Sequence, residues 1–398
     1  MPTSVRSAYR LAVATAALSA AFVGSAAAQE RERSWEVSAR LRGVLQYDDN
    51  PFLLNPAHIQ ELGQPSTDDS LSGRFLDMDD PRDVVPISSL ELGVSGPGLL
   101  GRPLVLETNV QYEANILNSR RRHAELGFSI EQGLSAADRV QLGLDWQPSY
   151  FFKNYLAGVS ETDGDRLITP DERRYAAGVY DERGITLEYR HRFVKSKKHR
   201  PFGLTAALRG GYVDRTYDAP FGGRDRKGPE AGASLALDLG RRWALGLDYT
   251  YANLDADTSR AVQILDETLY GRDFNANGST TDPDALALEL VDQSRRDHEF
   301  GASLEGDLTS VASVRIKYER RNRDFTSAQP FDAAHLGRRD RRNLLAARVA
   351  VRLAHALDLM IGGAIEKQTT NRIGDPASTG EEAAYTRRTA TAGLRYRF

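Results

Sequence analysis

Apolar residues occupy every second position along most of this chain. Val37, Ala39, Leu41, Gly43, Leu45 and Tyr47 alternate with Glu36, Ser38, Arg40, Arg42 and Gln46. Leu104, Leu106, Val110 and Tyr112 face Glu107, Asn109, Gln111 and Glu113 in the same way, and Val140, Leu142, Leu144 and Trp146 face Gln141, Gly143, Asp145 and Gln147. A period of two is that of a strand with one apolar and one polar face. The pattern returns at 87–95, 124–131, 185–193, 202–212, 231–239, 243–251, 300–308, 314–318, 345–353, 357–365 and 385–398. It predicts about fourteen strands, many of roughly nine to fourteen residues, the length of a tilted membrane strand and longer than those of a soluble sandwich.

The connections sharpen the choice. Segments 48–86, 115–121, 152–182, 218–228, 257–294, 327–339 and 372–384 alternate with the short 96–102, 132–137, 195–201, 240–241, 309–310 and 354–356. Long loops on one side and tight turns on the other are the mark of outer-membrane barrels. The expected fold is therefore an all-β, transmembrane, antiparallel up-and-down barrel. Long loops would be extracellular, short turns periplasmic, and both termini periplasmic. Trp35, Phe193, Phe202, Trp243 and Phe398 fall at predicted turn ends, and Tyr47, Tyr112, Trp146, Tyr150, Tyr249, Tyr251 and Tyr318 near predicted loop ends, as interfacial girdles would.

The start of the chain agrees. Arg6 and Arg10 precede an apolar run over 11–23 and Ala26-Ala27-Ala28. This is the layout of a secretory signal peptide over residues 1–28, leaving 29–398 as the barrel. There is no cysteine, so no disulfide, no lipid-modified cysteine and no thiolate metal site is expected. The formal net charge of −3 lacks the basic excess of a nucleic-acid binder. Mean hydropathy is negative, which an alternating strand permits.

The polar faces carry the candidate chemistry. Arg190, Arg192, Arg315, Lys317, Arg348, Arg352, Arg395 and Arg397 are placed inward by the alternation. They either line a water-filled path or brace the wall through ion pairs. Glu319 and Glu366 are too few to neutralise strands 11 to 14, so a basic stretch favouring anionic solutes is expected there. The loops lean acidic: Asp48, Asp49, Glu61, Asp68, Asp69, Asp77, Asp79, Asp80 and Asp83 fall between 48 and 83. They are either simply solvated or bridged by divalent cations to lipopolysaccharide. Asp273, Asn275, Asn277 and Asp284 resemble the oxygen spacing of a calcium loop, as Glu161 to Glu172 does less closely. Ca²⁺ is the one cofactor these segments suggest. His123, His298 and His335 lie near the expected rim, but no sequence spacing pairs them with a nucleophile and no G-x-S-x-G occurs, so no enzyme is expected.

Three segments carry a family resemblance. The ending Thr391-Ala392-Gly393-Leu394-Arg395-Tyr396-Arg397-Phe398 resembles the terminal signal of bacterial outer-membrane barrels, which implies that Gly393, Tyr396 and Phe398 are read by the barrel-assembly machinery. Leu45-Gln46-Tyr47-Asp48-Asp49-Asn50-Pro51-Phe52-Leu53, with the arginine-rich hairpin Arg338-Arg339-Asp340-Arg341-Arg342, resembles the outer-membrane β-barrel porins of proteobacteria that accompany exopolysaccharide synthesis and export. That likeness implies a Gram-negative outer membrane, transport, and export proteins as partners. A structural or adhesive barrel with a plugged lumen, acting through its acidic loops, stays open beside it.

Overall fold

The computed structural model describes residues 35–62, 75, 78, 80–159, 173–194, 203–219, 221–240, 242–256, 292–328, 335–371 and 384–398. The leader, the 273–284 segment and the 161–172 segment lie outside them.

Fourteen strands follow in chain order: β1 (Glu36–Asp48), β2 (Asp83–Pro97), β3 (Pro103–Glu113), β4 (His123–Gly133), β5 (Asp138–Val159), β6 (Arg173–Val194), β7 (Gly203–Tyr217), β8 (Arg226–Leu239), β9 (Trp243–Ala256), β10 (Arg295–Asp307), β11 (Ala312–Phe325), β12 (Arg339–Ala354), β13 (Leu357–Thr370) and β14 (Tyr385–Arg397). Each pairs antiparallel with the next, and β14 returns to β1, so the sheet closes on itself. Besides strands there are a short helix α1 (Pro56–Leu62) and brief 3₁₀ turns. No described helix is long and apolar enough to cross a membrane, which says nothing of strands.

The alternation sorts the two faces. Leu41, Leu45, Leu187, Ile316, Leu345, Ile361 and Leu394 are all more than 40% exposed, on the outside. Their neighbours Arg42, Glu188, Lys317 and Arg395 face the other way, into the lumen. This apolar face is left uncovered by the described residues. Inside, Val44 of β1, Val85 and Ile87 of β2 and Met360 of β13 form a small apolar patch across β14.

Tight turns close the end that also holds both strand termini. Ser135 Oγ accepts from the N–H groups of Ala137 and Asp138, both at 3.0 Å. Thr309 Oγ1 does the same for Val311 and Ala312, at 3.2 and 3.0 Å. Gly240 takes φ +85° in the β8–β9 turn, a left-handed conformation that suits glycine. The longest connection at this turn end is 195–202, one residue beyond the expected bound.

The opposite, loop end is more ordered than expected. Segment 152–182, read as a loop, is largely strand: β5 and β6 each run 22 residues. Their ladder shifts register between Gln147 and Tyr150, and Ser149 sits at φ +49°. This bulge reverses the parity, so Tyr150 turns into the lumen instead of joining the outer girdle. Several loop acids act inside the molecule. Asp48 is bonded twice by Arg387 Nε, at 2.9 and 3.1 Å, and Asp49 takes the backbone N–H of Arg388. Asn50 Nδ2 donates to Leu54 O and Thr386 O at 2.8 and 3.0 Å. The Tyr47–Phe52 motif is thus a clasp fastening the first connection onto β14. Phe52 and Leu54 then pack with Met78 and Phe151 in a buried cluster. Arg82 bonds Asp80 and holds its carboxyl below the usual carboxylate range.

Asp83 organises the next connection. Its carboxylate, fully buried, accepts from the backbone N–H groups of Ile116, Leu117 and Asn118 at 3.1, 3.0 and 3.2 Å. It also accepts from the Asn115 and Asn118 side-chain amides, at 2.9 and 3.1 Å. A loop would otherwise leave those donors unpaired.

Candidate functional site

Toward the loop end the lumen holds a cavity of about 510 Å³, lined from β5 round to β14. Its cations are Lys153, Arg209, Arg215, Arg226, Arg295, Arg321, Arg323 and Arg338; its carboxylates are Glu182, Glu230, Asp297 and Glu299. Tyr155, Tyr180, Tyr217 and Tyr385 add hydroxyls and ring faces, and Leu53 of the first connection reaches the same space.

These charges are partly neutralised, unevenly. Asp297 takes a bidentate pair from Arg323, both bonds 2.9 Å, and lies 3.3 Å from Arg295. Glu182 pairs with Arg215, whose guanidinium also stands 4.1 Å over the Tyr180 ring. Arg209 bonds Thr250 at 2.8 Å and is 3.8 Å from Glu230. Arg226 donates to the neutral Gln293 at 2.9 Å. The Arg321 guanidinium makes no hydrogen bond or ion pair with a described residue. Among the lining residues eight cations face four carboxylates. Asp340, just outside the lining, bonds Arg338 at 2.8 Å and removes one from the excess, which leaves the ring net positive.

The arginines singled out from sequence stand elsewhere. All eight candidates are on inward faces, but in the half nearer the turn end, where most are braced. Arg190 bonds Glu188 and Glu131 at 2.6 and 3.3 Å. Arg315 lies 3.8 Å from Glu305, and Lys317 pairs with Glu319. Arg395 and Arg397 both bond Asp358, at 2.7 and 3.0 Å. Arg192, Arg348 and Arg352 have no ion pair with a described residue. Asp358 and Glu305 belong to the inward parity of β13 and β10, so strands 11 to 14 are better neutralised than Glu319 and Glu366 alone implied.

The basic ring went unread for a physical reason. Arg215, Arg226, Arg295, Arg321 and Arg323 lie where β7, β8, β10 and β11 rise past their apolar stretches. There both faces are polar, as in Arg320-Arg321-Asn322-Arg323, and the period-two signal ends although the strand does not. The usable signal was Arg209, inward by parity, and the step of two from Arg315 and Lys317 through Glu319 to Arg321 and Arg323.

The closing seam holds the three residues of the terminal motif. Gly393 pairs with Val44. A Cβ there would sit 2.3 Å from the Gly43 carbonyl oxygen and 2.7 Å from Val44 Cα, against backbone. Tyr396 and Phe398 lie on the outer face, edge to face at 4.6 Å. Phe398 N–H donates to Ala39 O at 2.9 Å. The last residue is therefore level with Ala39, four residues into the chain from Trp35, because a closed barrel staggers its strands. Gly393→Val is expected to keep the seam from closing, and removal of Phe398 to lower the folded amount. Heat-modifiable gel mobility of the outer-membrane fraction reads both; unchanged folded bands would remove these roles.

Neither a protein-family model nor a curated protein matches the sequence. Among solved structures the chain resembles an anion-selective porin from Comamonas acidovorans, at 11% identity and TM-score 0.38 over 92% of this chain and 100% of that one. It also resembles the outer membrane channel DcaP of Acinetobacter baumannii, at 10% identity and TM-score 0.43 over 93% and 99%. A bacterial polysaccharide outer membrane secretin is similar at 8% identity and TM-score 0.41 over 90% and 98%.

Proposed function

We propose that this chain is an outer-membrane channel that passes small polar anions. An apolar outer face around a closed barrel suits a bilayer, where every backbone group must be paired within the sheet. In this reading the loop end is extracellular, the turn end and both termini are periplasmic, and residues 1–28 direct secretion. The observation that carries the solute class is the excess of eight cations over four carboxylates around the cavity. Such a wall concentrates anions and repels cations without binding either tightly. Phe398 and its strand serve recognition by the barrel-assembly machinery, and the acidic loops face lipopolysaccharide.

An acidic exopolysaccharide is the polymeric form of the same ligand chemistry, and the tyrosines beside the arginines offer ring faces to sugars. Export of such a polymer is the finer reading, with export proteins as partners. The adhesive, plugged barrel has one point in its favour: Leu53 and the clasp of the first connection occupy part of the mouth.

Planar-bilayer recordings of the purified chain separate these. With a KCl gradient, a channel current is expected whose reversal potential lies on the chloride side. A cation-selective current, or none even with segment 257–291 deleted, would overturn the anion channel.

A further inference from the structure

We infer that Glu113, His123 and Glu125 form a Zn²⁺ site on the inner wall, at the loop end of β3 and β4. Ladder pairing sets Glu113 opposite His123 and Gln111 opposite Glu125, so these side chains share one face. His123 Nε2 lies 3.4 Å from Glu125 Oε1 and 4.0 Å from Glu113 Oε2. One ligand atom from each of the three residues falls within 4.8 Å of the others. A tetrahedral Zn²⁺ at ~2.1 Å from its ligands sets them ~3.4 Å apart, so the cluster needs little movement to close on an ion.

The imidazole is prepared for this role. Nδ1 is 2.9 Å from the carbonyl oxygen of Arg121. A carbonyl only accepts, so Nδ1 carries the hydrogen, and in the neutral ring the Nε2 lone pair points at two carboxylates. A backbone carbonyl on the far nitrogen is the usual second partner of a metal-bound histidine. The ring is 7% exposed and meets Tyr150 edge on at 4.6 Å. The carboxylates are also held: Gln111 Nε2 donates to Glu113 at 3.0 Å, and Gln147 Nε2 donates to Glu125 at 3.1 Å.

Charge gives the independent reason. Several inner-wall acids, among them Glu131, Asp297 and Asp358, have arginine partners, whereas Asp145 and Asp248 have no ion pair among the described residues. Glu113 and Glu125 have no arginine partner among the described residues; their basic neighbour is His123. The Nε2 lone pair is buried and faces two part-exposed carboxylates, with no donor or cation among the described residues to satisfy it. Either a proton on Nε2 or a metal ion resolves it. Three protein ligands of N and O type leave a fourth position for water, the donor set Zn²⁺ accepts. The site is independent of the anion reading, since it sits outside the arginine ring.

The test uses the untagged chain refolded in detergent, stripped with chelator and titrated with Zn²⁺ against a chromophoric competitor. One Zn²⁺ per chain is expected, and Co²⁺ should give the visible absorption of a tetrahedral site. Gln147→Leu, which removes only a holding hydrogen bond, should weaken Zn²⁺ by ~10–100-fold. His123→Ala and Glu125→Gln should weaken it further. Far-UV circular dichroism confirms that each variant is folded, and Glu125→Gln and Gln147→Leu carry the test if His123→Ala does not fold. Absence of stoichiometric uptake by the wild-type chain, which leaves a protonated imidazole instead, overturns the site. So does uptake unchanged in a folded His123→Ala or Glu125→Gln.

Discussion

Arg226→Glu with Arg321→Glu is expected to abolish the anion preference of the channel. The cavity lining would go from eight cations against four carboxylates to six against six. These two arginines suit the exchange because neither holds a carboxylate in place. Arg226 bonds Gln293, and the Arg321 guanidinium bonds no described group. Arg323 does not suit it, since its loss would strand Asp297 beside a like charge. A unit charge ~7 Å from a passing ion is worth roughly 0.6 kcal/mol in water, about threefold in local concentration. Two reversals change the sum by four charges, so a large change in the chloride-to-potassium permeability ratio is expected at low salt. Added salt should shrink the difference between variant and parent. A reversal potential unmoved at ~10 mM KCl would show that ions do not pass the arginine ring.

Asp83→Ala is expected to give the largest loss of stability among single changes at the loop end. The carboxylate serves three backbone N–H groups and two side-chain amides of the 114–118 segment. Each donor left buried without an acceptor costs ~1–3 kcal/mol, and rehydration at the rim recovers part of it, so about 2–4 kcal/mol overall is expected. Denaturant unfolding followed by gel mobility gives the total. Amide exchange at Ile116, Leu117 and Asn118 locates it. The same change should weaken Zn²⁺, because segment 114–122 joins Glu113 to His123. Slow exchange retained at those three amides would sink the hub assignment.

The sequence was most informative where the environment imposes a period. The outer face must be apolar and the inner face polar for as long as a strand lies within the apolar band, so all fourteen strands could be found from alternation. Strand ends could not, because above the band nothing selects against polar residues on both faces; β5, β6, β8, β10 and β11 all extend further than their patterns. Arg226, Arg295, Arg321 and Arg323 lie in those extensions, and Arg215 lies in that of β7. Arg190, Arg315, Lys317, Arg395 and Arg397 were visible because they lie inside the band, and there the protein pairs them. Tyr150 was misplaced by a bulge that no local pattern announces. The Asp48-Asp49-Asn50 clasp was visible as a motif, but its partners Thr386, Arg387 and Arg388 are distant in sequence and met only through closure.

The seam between β1 and β14 also sets the order of events in folding. Thirteen of the ladder contacts join strands consecutive in the chain and can zip locally. The last joins Leu41 to Tyr396. In an unfolded chain, closing a loop of roughly 350 residues would cost about 5 kcal/mol of entropy, so this contact is expected only after the local ladders have formed and curved the sheet round. Until then the nascent sheet has two open edges, each a template for pairing with another chain. The Asp48–Arg387 and Asp49–Arg388 contacts join the two edge strands and so are expected to form only with or after closure. They latch the loop end of the seam, so their loss should speed reopening more than it slows closure.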